Sequence, residues 1–187
     1  MREGLRQVFF ALIWAGFVWG ADEPPKVPQY QKVEVSKSVF GDFSMMVQER
    51  DEYATNLTKL ALLTIHEFAE EPEKLNEHML TIQREIALAL NLSPRNRLAV
   101  ISNHQLGRGL LPPKPELDYS QKVFARLLLT RGQLLKKKDG ASDRLAGSFF
   151  VELSAILDPR NEDAIYEYEM QKIDGDAVDW SSLLSES

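Results

Sequence analysis

With 187 residues, 44% of them hydrophobic, the chain is long enough to bury the core of one ordinary domain and too apolar to be disordered throughout. A formal net charge of −6 makes it a poor match for nucleic acid. The absence of cysteine excludes disulfides, thiol nucleophiles, Cys-ligated zinc and lipid-modified Cys.

Arg2 and Arg6 precede an uncharged run, VFFALIWAGFVW, from Val8 to Trp19. As a helix this run spans roughly 18 Å, short of the roughly 30 Å hydrocarbon core of a bilayer. The small residues Gly20 and Ala21 and the polar DEPP follow, a pattern that predicts a signal peptide over residues 1–20, in preference to an uncleaved short anchor or a buried N-terminal helix. The expectation is therefore an exported protein, periplasmic or secreted, with no stable membrane insertion once the leader is cleaved.

Residues 21–43 read as a proline-rich extended arm: DEPPKVPQYQ is a tether, and Val33 and Val35 alternate with polar residues without an evident strand partner later in the chain. This pattern predicts an irregular arm laid on helices. From Ser44 the period changes, and Met46, Tyr53, Leu57, Leu60, Ala61 and Thr64 place one face on a long helix ending near Glu70. Pro72 suits the first turn of a second helix, reaching about Asn91, with Leu75, Met79, Ile82, Ile86 and Leu90 on one side. A third follows Pro94 and stops at Gly107 to Gly109, after which LLPPKPELD cannot continue a helix. The order then recurs: a helix from about Tyr119 to Lys138, another from Ala141 to Leu157, and a third after Pro159 that ends near Gly175. Residues 176–187 form an acidic tail carrying Trp180 and a Leu pair, suited to docking in a groove of its own domain or to seeking a partner.

LSPRNRLA, from Leu92 to Ala99, and LDPRNEDA, from Leu157 to Ala164, are nearly the same phrase. Leu closes the buried face of the outgoing helix and Pro stops that helix. Asn caps the incoming helix, and Ala lets the two approach closely. One helix-to-helix corner is thus specified twice. A corner of this form between amphipathic helices resembles the junction of consecutive tetratricopeptide repeats, and the resemblance is best over residues 124–175. There Gly132 stands at the small position of the first helix between Leu128 and Leu135, and Ser154 and Ala155 supply the small side chains of the second. Gly147 replaces the usual alanine and Val151 the usual aromatic, and the earlier half keeps only the corner and the helix order, so the repeats are degenerate.

The resemblance implies an all-α fold, a short right-handed stack of antiparallel helix pairs over residues 44–175, preceded by the signal peptide and the arm. It also implies a concave binding face carrying Arg126, Leu129, Gln133, Lys136 and Lys137 from one helix, and Asp163, Tyr166 and Met170 from the helix after Pro159. Between Gln121 and Arg144 basic residues predominate, whereas the chain after Arg160 is strongly acidic. Such a strip is either a solvated face or a seat for an acidic segment, from a partner or from the chain's own tail.

Catalytic patterns are thin. His66 and Glu70 share a helix face, with His78 beyond the next turn, but the second His of a His-Glu-x-x-His metalloprotease motif is missing. There is no Gly-x-Ser-x-Gly elbow and no phosphate-cradling glycine loop. The sequence therefore predicts an exported, non-enzymatic module or scaffold that needs no metal or cofactor and binds an extended peptide or a partner helix. The alternatives are a metal-dependent hydrolase, or an accessory region of one, around His66, Glu70 and His78, and a structural envelope protein. The sequons at Asn56 and Asn91 would matter only in a glycosylating pathway.

Overall fold

The first helix, α1 (Val47–Phe68), buries Ala54, Leu57, Ala61 and Ile65, the three-and-four spacing that turns one stripe inward. It begins later than the apolar pattern suggests. Met46 is its extended N-cap and 73% exposed, while Met45, one residue earlier, is the one buried. The computed structural model describes residues 30–35 and 38–184, so the expected leader and residues 21–29 of the arm lie outside the described residues. Among the described residues the protein is all-α, with six helices, one short 3-10 turn and no strand. No described helix is long and apolar enough to cross a membrane.

α2 (Pro72–Leu92) starts with Pro72 in its first turn and runs antiparallel-wise back along α1, with which it forms the first hairpin. α3 (Arg97–Gly107) lies on both of them. The second hairpin is α4 (Gln121–Lys136) with α5 (Ala141–Leu157), and α6 (Glu162–Ile173) packs on α5. α5 is the most enclosed helix, with every residue from Ala146 to Ala155 buried. It crosses α4 at two facing glycines: a Cβ on Gly147 would lie 2.7 Å from the Gly132 carbonyl oxygen, and one on Gly132 would lie 2.9 Å from the Gly147 oxygen. Two backbones meet there where no side chain fits.

The duplicated phrase folds the same way twice. Ser93 and Asp158 donate their amides to the carbonyls of Ala89 and Ser154, and the amides of Asn96 and Asn161 reach back to Ser93 and Asp158. Each Asn then caps the incoming helix through its side chain, Asn96 accepting from the Ala99 amide at 3.0 Å and Asn161 from the Ala164 amide at 3.3 Å. Both alanines are fully buried. The far ends of α3 and α6 also match: Gly109 (φ +73°) and Gly175 (φ +79°) turn the chain in the left-handed region that glycine enters freely. The following amides, of Leu110 and Asp176, close onto the Gln105 and Gln171 carbonyls.

The halves share one main core. Tyr53 of α1 stacks on Phe150 of α5 with ring centroids 5.3 Å apart and tilts against Phe124 of α4 at 5.6 Å. Burial, with the Glu49 charge beside it, pushes the Tyr53 phenol up to about 12. Polar ties run alongside: Arg131 to Glu49 at 2.7 Å, and Asp143 accepting both the Ser44 amide at 2.7 Å and its hydroxyl at 2.9 Å. The described parts of the arm and of the tail both pack on this body. The arm reaches it through Tyr30, Val33 and Phe40, all buried, and the tail through Trp180 and Leu183. Trp180 donates its indole N–H to Glu152 at 2.7 Å, packs T-shaped with Phe149, and carries the Arg84 guanidinium over its ring. In this structure the acidic tail is docked on its own domain.

Glu85 is the anomaly of the core. It is 1% exposed, one of its carboxylate oxygens has no hydrogen-bond partner, and burial raises its pKa well above the carboxylate range.

Candidate functional site

α4 and α6 do not close on each other along their whole length. Ser120 caps α4 by accepting from the Val123 amide, and Asn161 caps α6 by accepting from the Ala164 amide, so each helix has a fixed start. The Gly132–Gly147 crossing draws α4 close to α5, while α6 rests on α5 through Ala164, Val151 and Ala155. Between α4 and α6 a cavity of about 390 Å³ remains, lined by Arg126, Leu129, Thr130 and Gln133 from the one helix and Asn161, Asp163, Tyr166 and Glu167 from the other.

The cavity gathers five of the eight residues expected on a binding face: Arg126, Leu129, Gln133, Asp163 and Tyr166. Their roles differ. Leu129 is only 7% exposed and packs on Val151, Ala155 and Ala164, so it forms the floor. Tyr166 is 64% exposed and stands at the mouth. Gln133 donates to Glu167 at 3.0 Å, linking the two walls. Arg126 faces Asp163 and Glu167 across the opening, so the walls carry opposite charge and the site suits a ligand with both polar character and an apolar anchor.

The remaining three expected residues lie elsewhere. Lys136 donates to Gln171 at 3.1 Å, and Gln171 in turn donates to the Ser148 carbonyl, which fixes the lysine as a tie between α4 and α6. Lys137 is exposed beyond the end of α4, and Met170 is half-buried outside the cavity lining. The basic strip is also thinner than a sequence count implies, because Arg131 is engaged by Glu49 and Arg144 by the carbonyls of Lys138 and Asp139. Thr130 and Glu167 carry no sequence signal that marks them as site residues. Asn161 was legible only as a cap, and nothing in the spacing of Thr130 or Glu167 separates a cavity wall from a solvated turn.

The histidines do not assemble a centre. The Nε2 atom of His66 lies 2.8 Å from the Pro112 carbonyl, and His78 stacks on Phe68 with centroids 4.7 Å apart. Glu70 is exposed past the end of α1. Among the described residues no group of three or more His, Asp or Glu side chains converges to hold a metal ion. Both sequon asparagines are buried in helices: Asn56 donates to the Glu52 carbonyl, and Asn91 to that of Ala87, so neither is open to a glycan on the folded protein.

Comparisons of the chain with protein-family models, with curated proteins and with solved structures find no match.

Proposed function

We propose that this chain is an exported interaction module that holds an extended peptide or a partner helix in the groove between α4 and α6. One observation carries this reading: an exposed aromatic, Tyr166, and an exposed cation, Arg126, flank an apolar floor, Leu129, in a preformed cavity of about 390 Å³. Aromatic and Arg anchors over a desolvated floor are the usual carriers of binding energy at protein interfaces. Helical pairs joined by matching corners and closed by matching glycine ends support a tetratricopeptide-like stack as the scaffold. Export rests on the Val8 to Trp19 run and the small residues that follow it.

The test is photocrosslinking in the native compartment with a photoreactive amino acid at position 166, and a matched control at Lys114, in the loop before α4. A single polypeptide captured from position 166, absent from the control and lost when Arg126→Glu is added, supports the groove. Capture that is equal at both positions, or indifferent to Arg126→Glu, refutes it. Recovery of a chain that still begins at Met1 in the cytosolic fraction refutes export.

A further inference from the structure

A different surface already holds an extended polypeptide. Asn103, buried on α3, addresses the main chain of the arm on both sides of one residue: its Oδ1 accepts the Val33 amide at 3.0 Å and its Nδ2 donates to the Val33 carbonyl at 2.7 Å. A side-chain amide here makes the pair of bonds that a neighbouring strand would make. The same Oδ1 accepts the Tyr30 hydroxyl at 2.7 Å. Farther along, the Oδ1 of Asn91 accepts the Val39 amide at 3.1 Å. Apart from the Tyr30 phenol and the Ser38 hydroxyl, which donates to the Asn91 carbonyl at 2.7 Å, these bonds read the backbone of the arm, so they constrain the conformation of the occupant more than its sequence. The arm also leaves the site partly empty. Beside Val33 and Val35 a cavity of about 320 Å³ stays open against Leu90, Pro94 and Val100, and Val100 is 45% exposed.

We propose that the α2–α3 face is an acceptor site for an extended segment carrying a phenol three residues ahead of a β-branched residue. The chain's own arm is its resident occupant, and it yields to a partner polypeptide of that chemistry. A tethered occupant competes at an effective concentration on the order of millimolar, so the site is shut by default. A partner displaces the arm by filling what the arm leaves open, with an apolar side chain larger than valine at the place of Val35. This proposal is independent of the α4–α6 groove.

The experiment uses the full chain and a fluorescent synthetic peptide of residues 28–40, read by anisotropy. Val33→Asp weakens the resident arm and leaves the acceptor face intact. That variant is expected to bind the peptide at least about tenfold more tightly than the unaltered chain. Adding Asn103→Leu should abolish binding, and a peptide carrying Val35→Leu should bind more tightly than the native peptide. Circular dichroism of each variant reports the fold. Three outcomes overturn the proposal: a folded Val33→Asp chain that does not bind the peptide, binding that survives Asn103→Leu, or loss of helix in Val33→Asp, which would make the docked arm indispensable to folding and not a displaceable occupant. Concentration-dependent dimerisation of the unaltered chain that is abolished by Val33→Asp would assign the face to a second copy and overturn the foreign partner.

Discussion

Gly147→Ala isolates the contact on which the second hairpin depends. On an exposed helix this change would stabilise, by about 0.5–1 kcal/mol, because alanine loses less conformational freedom than glycine. Here the new methyl would sit 2.7 Å from the Gly132 carbonyl oxygen and 3.0 Å from the Lys136 amide nitrogen, and both atoms are backbone. Neither can rotate away, so α4 and α5 must separate locally. Overpacking of this kind costs about 1–3 kcal/mol. The terms oppose, and the net loss is up to about 2.5 kcal/mol, which for a protein of this size lowers Tm by as much as several degrees. Gly132→Ala meets the Gly147 oxygen at 2.9 Å and should behave alike. The double variant should lose less than the sum of the two, since the first methyl opens the gap that the second needs. Urea denaturation with unchanged m values is the assay. A Gly147→Ala protein more stable than its parent would refute the backbone-to-backbone crossing.

Three further outcomes are expected. Trp180→Ala should lower stability by about 3–5 kcal/mol, because a buried indole is removed and Glu152 loses its donor; a loss under about 1 kcal/mol in urea denaturation would mean that the tail adds nothing. Glu85 holds its proton in the folded state at pH values where the unfolded chain has released it, so its contribution to stability falls as pH rises from the carboxylate range toward its raised pKa. Glu85→Met should remove that decline and be more stable near pH 7 by about 1–3 kcal/mol, measured as denaturation midpoints across pH, and a parent-like slope in the variant would count against it. Asn96→Ala should cost more than Asn161→Ala: both lose a cap of about 1 kcal/mol, but the Asn96 amide also donates to Asp51 and Thr55 of α1. Equal losses in thermal melts would show that those added bonds contribute nothing.

The corners were legible because proline, asparagine and alanine each act within a few residues of themselves. α5 ends at Leu157, where the phrase stops it, and α2 starts at Pro72. α4 falls slightly inside its expected span because Ser120, one residue past Tyr119, is the better cap. Met46 misled because apolar character on a periodic face does not tell whether the helix has yet begun. What stayed hidden depends on distant partners. Asn103 is an ordinary polar helix residue until Val33, far away in the chain, is laid against it, and Glu85 sits in a helix whose pattern gave no warning that its polar side would be enclosed. The cavity between α4 and α6 is a property of how two helices diverge, and no local spacing encodes it.

Phe149 joins the arm and the tail in time as well as in space. Its ring is T-shaped to Phe40, with centroids 5.8 Å apart, and T-shaped to Trp180, with centroids 4.8 Å apart. A ribosome releases residue 40 well before residue 180, so the earlier aromatic must wait for the synthesis of everything between them before it gains its final neighbour. Contacts between such remote positions close late and slow the completion of a fold. Until the tail emerges, the nascent protein carries an open aromatic seam across its most buried helix, a surface that invites a chaperone. A chain cut short before Trp180 would keep that seam permanently, so a protease or a premature stop acting ahead of Trp180 would leave the molecule open to removal.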